Sequence, residues 1–218
     1  MSQAEAYRRV HDRILTLVSD EVADQTVPTC PGWTVKDVVA HLASFFAVYR
    51  SGDPSEVFSP GWGDRAVEDR RDLSLQQCIA EWDAHLADAG DLFESPLGTV
   101  AVSDALAHEQ DIRTALNQPG FRDDASIVPS VERGLAFVDQ KAEAEGSPGL
   151  RIVTEDIDRK VGQGEPVATL RTTTFELFRA IHGRRTVDQV RAMEWSGDPG
   201  RWVSALPIFG PTERTVEE

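Results

Sequence analysis

The chain has 218 residues, enough for one large domain or two small ones with a buried core. Its 37 acidic residues outnumber the 22 basic ones, and the formal charge of −15 argues against nucleic acid or an anionic membrane as a partner. Two widely spaced cysteines and no apolar run of membrane-spanning length favour a reducing, cytoplasmic setting, in which both cysteines are reduced thiols.

The first part of the chain has helical periodicity, and polar residues mark where helices begin. Thr34 with Asp37 and Ser74 with Gln77 have the spacing of capping boxes. Residues 51–73, rich in Gly, Pro, Asp and Arg, predict a loop, and Leu97-Gly98-Thr99 predicts a break. The predicted helices cover residues 3–19, 34–50, 74–93, 100–117 and 129–144.

The character of the sequence changes near residue 150. The β-branched runs "GLRIVTED" and "EPVATLRTT" predict strands, with the glycine-rich turn "VGQGEP" between them. A helix over "TFELFRAIHGRR" and a short helix after Thr186 follow. We therefore predict a mainly α protein, with a helical bundle over residues 1–146 and a small α+β domain over residues 150–218.

His41 lies in the second predicted helix, about 100° from the centre of that helix's apolar stripe. A histidine in such a border position commonly makes one hydrogen bond and has no further role. In the fourth predicted helix, Asp104 and His108 are four residues apart and share one flank. They form either an intrahelical hydrogen bond on a solvated face or half of a divalent-metal site.

Three segments, "CPGWTVKDVVAHLA", "DALAHEQDIRTAL" and "ELFRAIHGRRTVDQVRAMEWSGD", together resemble the mycothiol-dependent maleylpyruvate isomerase family. That resemblance implies a DinB-like four-helix bundle with a small carboxyl-terminal domain. It also implies a divalent metal, usually zinc, held by His41, Asp104 and His108. The isomerase has Glu where this chain has Asp104; the shorter Asp would bind the metal directly, shift it, or bind it through water.

The resemblance also implies roles for two residues near the metal or the substrate. Asp111 would accept a hydrogen bond that fixes the tautomer of a metal-binding imidazole, or else form an ion pair with Arg113. Arg184 would bind a carboxylate of the substrate or the thiol, with Arg185 as the competing residue and complementation of a helix dipole as the alternative for both. We expect Cys30 to be a structural or bystander cysteine that does not share a metal with His41, and Trp33 to anchor the loop before the helix.

The implied activity is metal-dependent and uses a low-molecular-weight thiol, mycothiol, for S-transfer to an electrophile or for thiol-assisted cis-trans isomerisation. The expected partners are that thiol and a small electrophile, and the expected assembly is a monomer or homodimer. Two alternatives stay open: a metal-dependent hydrolase of thiol adducts and a non-catalytic module that binds a small molecule. Imidazole and carboxylate ligands are also compatible with nickel or iron in place of zinc.

Overall fold

The structure, a computed structural model, describes residues 1–216 and divides into two compact units, Met1–Gly120 and a second that begins at Phe121. The regular elements of the first unit are all helices. They are α1 (Gln3–Leu17), α2 (Val35–Ser51), a 3-10 helix (Pro54–Phe58), α3 (Trp62–Glu68), α4 (Leu75–Ala87), α5 (Gly90–Phe93) and α6 (Pro96–Leu116).

Helix α1 packs against α6, and α2 packs against both α4 and α6. Aromatic residues fill the space between them: the Trp82 indole N–H donates to the Tyr7 hydroxyl at 2.9 Å, and the Tyr7 ring meets Phe46 edge-on. The two predicted capping boxes are present, at Thr34 with Asp37 and at Ser74 with Gln77. The amino-terminal ends of α2 and α4 are therefore fixed by local side-chain bonds.

Three local predictions in this unit are wrong. Segment 51–73 is not an uninterrupted loop, because it contains the 3-10 helix and α3. The helix predicted over 74–93 is broken near Asp88 into α4 and α5. The predicted break at residues 97–99 lies inside α6, which Ser95 caps and Pro96 begins. Gly98 is needed there because a Cβ atom would lie 2.9 Å from the Phe93 backbone and closer still to the Gln3 side chain.

A buried carboxylate joins α1 to α6. Glu109 is fully buried and pairs with Arg13 of α1 at 2.6 Å and with Arg113 of α6 at 2.8 Å. Buried charges are tolerated when they are paired and hydrogen-bonded. His108, the neighbour of Glu109 in sequence, is also buried. One rotational position of α6 about its axis therefore places Glu109 against α1 and His108 in the interior.

The second unit begins with α7 (Ile127–Ala144) and contains a four-stranded sheet in the order β2-β1-β3-β4. Strands β1 and β3 are parallel, and the other two pairings are antiparallel. The remaining elements, in chain order, are β1 (Pro148–Val153), β2 (Asp158–Val161), β3 (Gln163–Arg171), α8 (Thr174–Ile181), α9 (Val187–Arg191), β4 (Glu194–Gly197) and α10 (Trp202–Ala205).

Helix α7 packs against α8 and β2, so the structure places it in the second unit. The division therefore lies after Gly120 rather than at the predicted boundary near residue 146. The mainly α class with a carboxyl-terminal α+β part is confirmed. Strands β2 and β4 were not predicted, because four residues of mixed polarity give too short a pattern. Within residues 1–216, no helix has the combined length and apolarity needed to span a membrane.

We predict that Glu109→Gln lowers the free energy of unfolding of the protein by about 3–5 kcal/mol, because it leaves two arginines buried beside an uncharged group. Urea denaturation followed by circular dichroism measures this loss. Glu68→Gln is the matched control, since the Glu68–Arg71 pair is exposed and should leave stability close to that of the wild type. Equal stability of the two variants would contradict the role assigned to Glu109.

Candidate metal centre

Helices α2 and α6 bring His41, Asp104 and His108 together. Nε2 of His41 lies 3.3 Å from Oδ2 of Asp104, and Nε2 of His108 lies 3.6 Å from Oδ1 of the same carboxylate. One ligand atom from each of the three residues falls within 4.8 Å of the others. The structure therefore gathers the three residues that the sequence resemblance implied as metal ligands, and Asp104 reaches both imidazoles despite its short side chain.

The separations suit a divalent cation. Two ligand atoms about 2.1 Å from a tetrahedral ion lie about 3.4 Å from each other. Both imidazole–carboxylate separations, 3.3 and 3.6 Å, are close to that value. The two imidazoles are 6% exposed and the Asp104 side chain is 28% exposed, so the carboxylate side of the cluster is the one that a fourth ligand would approach.

The tautomer of His108 is fixed from its other side. Nδ1 of His108 lies 3.0 Å from Oδ2 of Asp111, and a carboxylate can only accept, so Nδ1 carries the proton. Burial lowers the pKa of His108 below its ordinary value, although the charges of Asp104 and Asp111 act in the opposite direction. The imidazole is therefore neutral near pH 7, and its Nε2 lone pair faces Asp104.

Two contacts were predicted as alternatives for Asp111, one with an imidazole and one with Arg113. The structure contains the contact with the imidazole. Arg113, the other predicted partner, forms an ion pair with Glu109 at 2.8 Å. A metal-binding histidine usually donates its second N–H to a carboxylate or carbonyl, and such contacts orient the ring. The position of Asp111 matches that arrangement at His108.

Aromatic rings hold the second imidazole instead. Nδ1 of His41 is buried and has no hydrogen-bond partner among residues 1–216. The rings of Trp62 and Trp33 lie 4.8 Å and 5.1 Å from the His41 ring, measured between centroids. His41 is therefore more deeply buried than its predicted border position implied, and it is oriented by packing rather than by an acceptor.

Trp33 contacts both imidazoles. Its ring stacks on His108 at 5.9 Å, and its indole N–H donates to Asp64 at 3.0 Å. We expected Trp33 only to anchor the loop, so its contact with the site was missed. Gly63 allows this arrangement, since a Cβ atom there would lie 3.1 Å from the Trp33 ring and 3.6 Å from Nδ1 of His41.

Cys30 is held against two polar side chains of α6. Its Sγ lies 3.2 Å from Oδ2 of Asp111 and 3.8 Å from Nδ1 of His108. Of the two expected roles, a structural or a bystander cysteine, these contacts fit the structural one, because the turn before α2 folds the sulfur onto α6. Cys30, His108 and Asp111 form a second group able to hold a cation, and His41 is not part of it. Cys30 and Cys78 are reduced thiols, as expected.

The predicted arginines lie in the second unit and are held differently. Arg185 is 4% exposed and makes a two-point contact with Glu176, at 2.7 and 2.8 Å. Nη1 of Arg184 donates to the backbone carbonyl of His182 at 2.6 Å, and Arg184 is half-buried. The Glu176 contact gives Arg185 a structural role, so Arg184 stays the predicted substrate-binding arginine.

A cavity of about 430 Å³ lies between α2, the 3-10 helix and α3. Trp62 forms part of its wall and also contacts the His41 ring, so the cavity and the histidine–aspartate cluster share one aromatic residue. The other lining residues include two serines, three small apolar residues and several charged ones: Ser44, Ser51, Ala47, Val48, Ala66, Glu56, Glu68, Asp69, Arg65 and Arg70.

We predict that Gly63→Ala does not give the gain in stability that the higher helix propensity of alanine implies, because the added methyl group must displace Trp33. Gly90→Ala is the matched control: Gly90 is also helical, and a Cβ atom there meets nothing within 4 Å. The control should gain about 0.5–1 kcal/mol, and Gly63→Ala should gain nothing or lose stability. Thermal melting and tryptophan fluorescence measure the difference; equal gains at both positions would contradict this packing.

Comparison with known proteins agrees with the resemblance drawn from the sequence. A family model described as mycothiol maleylpyruvate isomerase N-terminal domain matches residues 4–96. The match includes Cys30, Trp33 and His41 and ends before Asp104. A search of curated proteins finds no significant match.

Two crystal structures of the mycothiol-dependent maleylpyruvate isomerase are similar to the chain. One, of a histidine-to-alanine mutant, has a TM-score of 0.55 at 15% identity and covers 89% of this chain and 91% of that one. The other has a TM-score of 0.53 at 15% identity, with coverage of 84% and 88%. At this identity the likeness establishes a shared fold. Residues 4–96 are similar to the family of the mycothiol maleylpyruvate isomerase N-terminal domain.

Proposed function

We propose that this protein is a metal-dependent enzyme that uses a low-molecular-weight thiol, mycothiol, in maleylpyruvate-type cis-trans isomerisation or in S-transfer to an electrophile. The observation that carries the proposal is the convergence of Nε2 of His41, Nε2 of His108 and the Asp104 carboxylate. In this proposal α1, α2, α4 and α6 are the four helices of a DinB-like bundle, and zinc is the metal.

The chain's own residues prepare the centre in three ways. Asp111 keeps the proton on Nδ1 of His108, which leaves Nε2 free to act as a ligand. Trp33 and Trp62 pack on the imidazoles and exclude water from that side. Imidazoles that bind a metal are neutral and a carboxylate carries one negative charge, so a centre made of these three ligands and a divalent cation would keep a net positive charge that attracts an anion.

A divalent cation held there would act as a Lewis acid and would favour the thiolate form of a thiol, whose ordinary pKa is about 8.5, at neutral pH. A thiolate adds to an activated alkene far more readily than a thiol does. The addition leaves the negative charge on the activated carbon. After rotation about the resulting single bond, loss of the thiolate gives the isomer, whereas protonation of that carbon with retention of the sulfur gives the S-transfer product.

The cavity beside Trp62 is the proposed position of the polar part of the thiol. Glu56 and Asp69 line it, and neither carboxylate forms an ion pair or side-chain hydrogen bond within the described part of the chain. They are acceptors for hydroxyl or ammonium groups. Their charge disfavours an anionic ligand in this cavity, so the proposed carboxylate-binding role belongs to Arg184, as the resemblance implied.

We predict that wild-type protein, purified without chelator or a metal-affinity tag, contains close to one equivalent of divalent metal, and that His108→Ala removes it. Mass spectrometry of the metal content is the measurement. His85→Ala is the matched control, because His85 lies outside the cluster, in α4, and pairs with Glu81. A wild type that stays metal-free after zinc addition would sink the proposed metal centre and favour the binding module.

We further predict that the protein isomerises a maleylpyruvate-type substrate only when mycothiol is present. The free thiol concentration stays constant in an isomerisation, falls in an S-transfer and rises in the hydrolysis of a thiol adduct, so a thiol titration during turnover separates the three. Conversion of these substrates without thiol, or none with it in metal-loaded protein, would contradict the proposed activity.

Two variants locate the substrates in the same assay. Ala47→Phe fills the cavity and should raise KM for the thiol, while Ala84→Phe, at an exposed position of α4, should leave it unchanged. Arg184→Ala should raise KM for a carboxylate-bearing substrate, with partial recovery in Arg184→Lys, because the lysine keeps the charge and loses the two-point geometry. An unchanged KM in Ala47→Phe or in Arg184→Ala would contradict the binding role proposed for that cavity or that arginine.

A further inference from the structure

The indole ring of Trp62 contacts the His41 imidazole and also forms part of the cavity wall. The centroids of the two rings are 4.8 Å apart and their planes are inclined by 60°. The cavity that Trp62 lines has a volume of about 430 Å³. Nδ1 of His41 is buried and has no hydrogen-bond partner among residues 1–216, so packing holds that side of the imidazole. The position of Trp62 therefore bears directly on the orientation of His41.

Trp62 also has an unused hydrogen-bond donor. The residue is 8% exposed, and its indole N–H donates to no acceptor in the part of the chain that the structure describes. Three other tryptophans do donate their indole N–H to an acceptor: Trp33, Trp82 and Trp195. A buried indole N–H usually has a hydrogen-bond partner. A ligand in the adjoining cavity is the source of an acceptor that this geometry favours.

The helix that carries Trp62 is weakly restrained. Helix α3 has seven residues, follows Gly61, which provides no side-chain cap, and packs on α2 and on the 3-10 helix. A short, uncapped helix with few tertiary partners opens at a low cost in free energy. The Trp62 surface that faces the cavity also lacks the dispersion contacts of a packed interior. A ligand in the cavity would therefore restrain both α3 and the indole ring.

We propose that Trp62 couples the cavity to the metal centre: a ligand that accepts a hydrogen bond from its indole N–H fixes the ring against His41 and thereby tightens metal binding. The ligand class is a molecule with hydroxyl or carbonyl acceptors, and in the proposed reaction it is the polar part of the thiol. The inference rests on the proposed function for the identities of ligand and metal. Such coupling is reciprocal, so the metal strengthens ligand binding by the same factor.

Zinc affinity, measured by competition with a chelator, tests the coupling without turnover. The probe is desulfurised mycothiol, in which hydrogen replaces the thiol, so that it supplies no sulfur to the metal. Saturating probe should tighten zinc binding to the wild type by about 5-fold or more. Trp62→Phe keeps a ring but lacks the N–H, and should lose most of this effect. Trp195→Phe is the matched control, because Trp195 donates to a carbonyl of the second unit, and should keep the effect.

A cavity variant tests the coupling without any ligand. Ala47→Phe places a phenyl ring in the cavity that Trp62 lines, and should tighten zinc binding in protein without probe. Ala84→Phe, at an exposed position of α4, should leave zinc binding unchanged. The NMR signal of the Trp62 indole N–H, assigned by its loss in Trp62→Phe, gives an independent readout. That signal should move downfield when the probe binds to the metal-free wild type, because the N–H then donates to the probe.

The outcomes separate this inference from the proposed function. A probe that binds without changing the zinc affinity would overturn the inference, and so would full coupling in Trp62→Phe, because the effect would then not need the indole N–H. A probe that does not bind would contradict the proposed position of the thiol. The Ala47→Phe comparison then decides the inference, and an unchanged zinc affinity in that variant would overturn it. A wild type that binds no zinc would end both the proposed function and the coupling.

Discussion

The imidazole of His108 has different partners on its two nitrogens, and the candidate site depends on that asymmetry. Asp111 lies 3.0 Å from Nδ1, while Asp104 lies 3.6 Å from Nε2. A neutral imidazole has one donor and one acceptor nitrogen, so an acceptor at Nδ1 leaves the Nε2 lone pair directed at Asp104 and His41. Burial lowers the pKa of His108 and keeps the ring neutral, as ligation requires.

Helix α6 provides the frame for this arrangement. Asp104, His108 and Asp111 follow one another at helical spacing, so a single register sets both sides of the imidazole. The adjacent Glu109 is paired with Arg13 of α1, which restrains rotation of α6 about its axis. The rotational position of α6 about its axis therefore determines both its packing on α1 and the geometry around His108.

Local sequence signals predicted much of the fold and part of the site. Capping boxes at Thr34 and Ser74 placed two helix starts, and the i, i+4 spacing of Asp104 and His108 suggested a half-site. The third candidate ligand, His41, needed the family resemblance, because nothing in the spacing of α2 and α6 along the chain shows that they pack together.

The missed features all depend on tertiary contacts. Gly98 looks like a helix breaker in sequence, yet close approach of neighbouring residues is what requires a glycine inside α6. Trp62 and Gly63 occur in a segment whose composition resembles a loop, although they form one wall of the site. Cys30 lies 78 residues before His108, and no local pattern places its sulfur beside that imidazole.

The central claim is that a metal binds on the Nε2 side of His108, through His41 and Asp104, and not on the Nδ1 side through Cys30. X-ray absorption at the zinc edge of the loaded protein tests it most directly, because sulfur and nitrogen scatterers differ in distance and strength. The account predicts only nitrogen and oxygen neighbours at about 2.0–2.2 Å, with the scattering pattern of two imidazoles. A sulfur neighbour at about 2.3 Å would contradict it and would place the metal with Cys30 and Asp111.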